Sequence, residues 1–147
     1  MSFHGQWADS LLAFERAFAA KLALWALASI LVGSALLAWI RLRALASSLL
    51  RHFALQSLLW ASAILLFALW SRRAAELRDL AGVTALDRSV WFGLGFEVGL
   101  VALGAGLATA GWLLGRRLGL VGAGVAIVVQ ALALSVLQLQ FASTLIR

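Results

Sequence analysis

The sequence predicts an all-α polytopic membrane protein: a four-transmembrane-helix bundle preceded by an N-terminal amphipathic interfacial helix. Three observations carry this. Apolar residues make up 64% of the 147 residues and charged residues 12%, against about 45–50% and about 25% in soluble domains. The mean hydropathy is +1.01, more apolar surface than a chain of this size can hide from water. The charges also fall almost wholly at boundaries and leave four long apolar stretches between them.

The elements follow in order. Residues 1–21 form an N-terminal segment in which Trp7, Leu11, Phe14 and Phe18 recur at helical spacing, with Asp9, Glu15 and Arg16 between them. This is the period of a helix lying in the interface plane, apolar side down; the alternative is an extension of the first span. The segment lacks the basic start and cleavage site of a signal peptide. Residues 22–147 form the transmembrane domain, with spans at about 22–40, 53–71, 89–115 and 118–146. The first two match the roughly 20 residues needed to cross a bilayer, and the longer two tilt or project. Arg116-Arg117 alone joins the third span to the fourth, which makes them a tight antiparallel hairpin. Proline is absent, so no proline kink is expected.

With four spans, both termini and the 72–88 loop share one side. That side carries Arg16, Lys21, Arg72, Arg73, Arg78, Arg88 and Arg147, against Arg41, Arg43, Arg51, Arg116 and Arg117 on the other. The excess of basic residues places both termini in the cytoplasm. Glu76, Asp79 and Asp87 in that loop read as a solvated helical turn with local ion pairs. Trp25, Trp70 and Trp91 lie toward the end bearing the termini, Trp39 and Trp112 toward the opposite end. Indoles concentrate at headgroup level, so these five are expected to be interface anchors.

The third span is glycine-rich. Gly95–Gly99 and Gly111–Gly115 fit the small-x₃-small spacing of closely packed membrane helices. Glu97 is the sole acid inside any of the four stretches. An ionised carboxylate there costs several kcal/mol, on the order of insertion scales, so it should face protein or a water cavity. Gly93, Gly104, Ala108, Gly111 and Gly115 share its face at 100° per residue, which points it into the bundle. Counting to the same depth along the other spans reaches Ser29, Ser62 and Gln138, with Gln130 about two turns deeper. This candidate polar layer is either a buried site for a proton, an ion or a ligand group, or interhelical hydrogen bonding that fixes register. His52, beside Arg51 and one turn before Gln56, reads as a headgroup contact.

Composition excludes several classes. Without cysteine there is no disulfide, thiolate nucleophile or iron–sulfur cluster. His4 and His52 are too few for a zinc triad, and no phosphate-binding loop or nucleophile elbow is present. No catalytic residue, metal site or cofactor is therefore assigned. The net charge of +6 and pI near 11.8 would suggest nucleic acid in a soluble protein. Here arginine flanks apolar runs, and anionic lipid headgroups are the expected partner.

Four stretches carry a family resemblance: Trp25-Ala26-Leu27-Ala28-Ser29-Ile30; His52 to Ser62; Gly95-Phe96-Glu97-Val98-Gly99; and Gly122-Ala123-Gly124-Val125 leading to Gln130 and Gln138. Over about residues 18–140 the chain resembles a bacterial family of small four-helix integral membrane proteins classed as a domain of unknown function. The resemblance implies a four-helix fold in a bacterial cytoplasmic membrane. That family usually has Asn where Ser29 and Ser62 stand, and Asp where Glu97 and Gln138 stand, so one acid remains here instead of two.

The function expected from these features is non-enzymatic: an accessory or scaffolding subunit of a larger membrane complex, in contact with other subunits or with itself. The alternatives are a small dimeric proton-coupled transporter using Glu97, and a quinone- or pigment-contacting subunit of an electron-transfer complex.

Overall fold

The computed structural model describes residues 3–145, with side chains described from Ala8 onward. It contains α1 (Phe3–Leu42), α2 (Ser48–Ala74), α3 (Leu80–Leu113) and α4 (Leu118–Leu145), and no strand among the described residues. Each helix is long and apolar enough to cross a membrane.

The separate N-terminal interfacial helix does not form. α1 is one helix of 40 residues, roughly 60 Å at 1.5 Å per residue, twice the hydrocarbon thickness of about 30 Å. No proline or glycine between residues 8 and 21 stops it. Its buried stripe of Leu11, Glu15, Ala19, Leu22 and Ala26 runs unbroken from the amphipathic stretch into the span. Phe18 stacks on Phe141 of α4 at 4.7 Å between ring centroids. Leu11 and Phe18 of the face expected to lie on lipid are therefore turned onto protein, while Phe14 stays exposed; Trp7 and His4 lie outside the residues whose side chains are described.

Local chemistry sets the other helix ends. α1 stops in a Schellman turn: Leu45 N–H donates to Ile40 O at 3.0 Å and Ala44 N–H to Arg41 O at 3.2 Å. Ala44 holds the left-handed position, at φ 49°. The Ser47 hydroxyl caps α2 by accepting from Leu50 N–H at 3.3 Å, and Asp79 caps α3 by accepting from Gly82 N–H at 2.8 Å. The α3–α4 hairpin turns through Gly115 at φ 79° and Arg116 at φ 56°.

α4 is the hub, packing against α1, α2 and α3, while α1 also packs on α2. Small residues make this possible. A Cβ on Gly122 would collide with the Leu49 carbonyl of α2, and one on Gly124 with the Gly104 carbonyl of α3. Among the described residues the α3 backbone approaches that of α4 alone. Leu22, Ala26, Ile64 and Ala68 join α1 to α2, and Val90, Phe141 and Ala142 join α3 to α4. Among the described residues the α2 and α3 backbones do not approach each other; Trp60 of α2 reaches the Leu100, Ile127 and Ala131 cluster, and the bundle is otherwise open along that side.

Candidate functional site

That opening is a cleft of about 640 Å³. α2 supplies one wall, α3 the other and α4 the floor, with Phe18 and Leu22 of α1 behind. The lining is mostly apolar and strongly aromatic, including Trp60, Phe67 and Trp70 from α2 and Phe92 and Phe96 from α3. Glu97 lies in it.

Glu97 is buried, with 7% of its surface exposed, on a helix most of whose residues face outward. Its partner is Gln138 of α4. With the amide oriented so that Nε2 faces the carboxylate, Gln138 donates to Oε1 at 2.6 Å and to Oε2 at 3.1 Å. Gly93, one turn before Glu97, makes room for this: a Cβ there would overlap the Gln138 amide. The Ser135 hydroxyl stands beside the carboxylate and donates to Ala131 O at 2.9 Å. No basic side chain reaches ion-pairing distance of Glu97 among the described residues. The neutral Gln138 amide orients the carboxylate, and no cation among those residues neutralises it.

At one end of the cleft Arg78, from the α2–α3 connection, reaches back to α1. Its Nε donates to Glu15 Oε1 at 2.5 Å and its Nη2 to Oε2 at 3.1 Å. Glu15 is 7% exposed. The bond to Glu15 raises the Arg78 guanidinium above its ordinary pKa, against burial that lowers it, so the group stays charged. Within residues 72–88 Glu76 adds a weaker Coulombic pull on Arg78 than this long-range pair does, and Asp79 is occupied as a helix cap.

The polar layer resolves into two clusters and one outlier. Glu97 and Gln138 make the first, in the cleft. Gln130 makes the second, about 80° round α4 from Gln138 and turned to α1: Trp25 Nε1 donates to its Oε1 at 2.8 Å, and its Nε2 donates to Ser29 Oγ at 3.2 Å. Gln130 is 3% exposed, and this closed chain ties α1 to α4. Ser62 joins neither cluster. It is exposed and donates to Leu58 O of its own helix at 2.8 Å, because it sits one residue past Ala61 on the inner stripe Ala54, Ser57, Ala61, Ile64 and Ala68. Ser57, which is buried there, is the serine that depth counting passed over.

The anchors and glycines also divide. Trp39, Trp70, Trp91 and Trp112 are exposed, and Arg116 lies over the Trp112 ring at 5.1 Å. Trp25 turns inward to Gln130. Gly111 packs on α4, where a Cβ would stand 2.8 Å from Leu120 Cβ. Gly95 and Gly99 meet nothing within 4 Å, and Gly115 serves the turn. Of the expected glycines Gly111 therefore packs this bundle, as Gly104, Gly122 and Gly124 also do, while Gly95 and Gly99 do not. His52 bonds the carbonyl of Ser48 at 2.8 Å and lies against Gly119, joining the starts of α2 and α4.

Three residues of the site escaped sequence reasoning. Ser135 lies one turn before Gln138 on α4, a spacing that could have flagged it. Trp60 carries a buried Nε1 with no acceptor, and Arg78 reached its partner across 63 residues; neither contact has a local signal. Among the described residues no group of three His, Cys, Asp or Glu side chains could hold a metal ion. No family model, curated protein or solved structure matches the chain.

Proposed function

We propose that the chain is a non-enzymatic integral membrane protein, an accessory or scaffolding subunit that docks a transmembrane helix of a different subunit on the outer face of α3. One observation carries the reading. Gly95, Gly99, Ala102, Gly106 and Thr109 are all small, all exposed and fall within about 40° of one line along α3. The three glycines meet nothing within 4 Å.

Glycine in a helix interior costs ~0.8–1 kcal/mol relative to alanine, and a face that touches only lipid gains nothing in return. The return comes where a second backbone approaches closely, as α4 does on the opposite face of this same helix at Gly104. Among the described residues the α3 backbone is approached by α4 alone and these five positions stay exposed, so its outer face is free for a partner. The occupant is an apolar helix with small residues at matching spacing. Arginine placement supports a topology with both termini in the cytoplasm, and the resemblance to the four-helix bacterial family supports a cytoplasmic-membrane setting.

The test is extraction of C-terminally tagged protein from native membranes in mild detergent, followed by mass and composition of the eluted species. A stoichiometric complex with at least one other transmembrane protein is expected. Elution as a lone monomer, or as a dimer of this chain only, overturns the reading and favours a carrier with Glu97 as its proton site.

A further inference from the structure

We infer that the cleft between α2 and α3 binds a lipophilic organic cation: an amphiphile whose protonated amine sits on Glu97 and whose apolar body lies against Phe67, Phe92 and Phe96. Glu97 lies about 160° round α3 from Gly95, so the acid and the small-residue face are on different sides of the helix, with Phe92 and Phe96 between them.

Size and access come first. About 640 Å³ falls in the range of about 300–1,000 Å³ typical of small-molecule sites. Because the α2 and α3 backbones stay apart along helices long and apolar enough to span a membrane, the opening faces the bilayer, where an amphiphile is already concentrated and oriented.

Charge then selects the class. Two acids and one base line the cleft, Glu15, Glu97 and Arg78. Arg78 is already bonded through two nitrogens to Glu15, which leaves no free cation in the lining for an anionic ligand. Beside Glu97 stand the neutral Gln138 amide and Ser135 hydroxyl, and among the described residues no cation pairs with it. A fatty acid would therefore add a second uncompensated carboxylate to an apolar site, whereas an amine supplies the missing counter-charge. The aromatic walls act in the same direction. Phe67, Phe92 and Phe96 are exposed to the cleft and its opening, and ring faces attract cations while presenting apolar area to an alkyl chain. Gly93 completes the site by letting Gln138 lie flat and hold the carboxylate in place.

The experiment measures binding of radiolabelled dodecylammonium to the full chain in zwitterionic nanodiscs, with empty discs subtracted and 1-dodecanol and dodecanoate as comparison probes. Saturable binding near one equivalent per chain is expected, at least tenfold tighter for the amine than for either comparison probe. Glu97→Gln, nearly isosteric, should weaken the amine at least tenfold and leave dodecanol unchanged. Ala63→Trp places a bulky ring on an exposed position of the α2 wall, away from the core, and should abolish amine binding with helix content intact by circular dichroism. Equal binding of amine and alcohol, tighter binding of dodecanoate, or amine binding unchanged in either variant overturns the inference.

Discussion

Gly104→Ala should destabilise the protein where Gly99→Ala in the same helix does not. Both substitutions add one methyl to α3 and share the same gain in helix propensity, up to ~1 kcal/mol, so their difference isolates the contact. A Cβ on Gly104 would stand 2.7 Å from Gly124 O, 2.8 Å from Val128 Cγ2 and 3.0 Å from Val128 N. Two of those atoms are backbone and cannot rotate away. Reaching ordinary contact at about 3.4 Å or beyond requires α3 and α4 to separate by roughly 0.7 Å, a gap that forfeits about a quarter to a half of each atom pair's ~0.1–0.2 kcal/mol. Over the few tens of atom pairs at such a crossing the loss is ~1–3 kcal/mol, the usual range for overpacked interiors. No second backbone approach compensates, because among the described residues α3 comes close to α4 alone. Gly99 meets nothing within 4 Å, so its alanine variant keeps the propensity gain. The assay is unfolding of purified protein in mixed micelles, followed by circular dichroism. Equal stability of Gly104→Ala and wild type, or an equal loss in Gly99→Ala, would refute the reasoning.

Two further outcomes are expected in the same assay. Gln130→Leu removes the acceptor of Trp25 Nε1 and the donor to Ser29 Oγ, and should cost about 0.6–2 kcal/mol per bond lost, read as an earlier unfolding midpoint. Ala44→Gly relieves a left-handed conformation, φ 49°, that costs an L-residue roughly 1–2 kcal/mol. It should raise stability by about 0.5–1 kcal/mol once the greater freedom of glycine in the unfolded chain is counted.

The existence of four helices was legible because lipid imposes a simple code: a long apolar run between charges. The ends were less legible. Lys21 and Arg72 read as boundaries, yet α1 begins well before the first and α2 passes the second, since a charged side chain outside the hydrocarbon does not interrupt a helix. The amphipathic N-terminus shows the same ambiguity. A buried stripe on protein and an apolar stripe on lipid have one period, and only the packing of Phe18 on Phe141 separates them.

Depth counting paired Glu97 with Gln138 because antiparallel neighbours of similar length share levels. It failed for Ser62 because level is not azimuth: a position 100° off the inner face of α2 bonds its own backbone. The glycine spacing likewise identified close-packing sites without their side. It marked Gly111, which meets α4, together with Gly95 and Gly99, which face away. The openness of the α2–α3 side was not legible at all, because adjacency of helices is set by tertiary packing and no residue type encodes a missing contact.

The docking face itself can be probed directly. The chain contains no cysteine, so Ala102→Cys introduces a unique thiol at the centre of the outer α3 face, and a benzophenone attached there crosslinks whatever lies against it in native membranes. A discrete adduct with another transmembrane protein is expected from Ala102→Cys, and none from Leu139→Cys, exposed on α4. Crosslinking to lipid alone, to a second copy of this chain alone, or equally from both positions would contradict a subunit docked on α3.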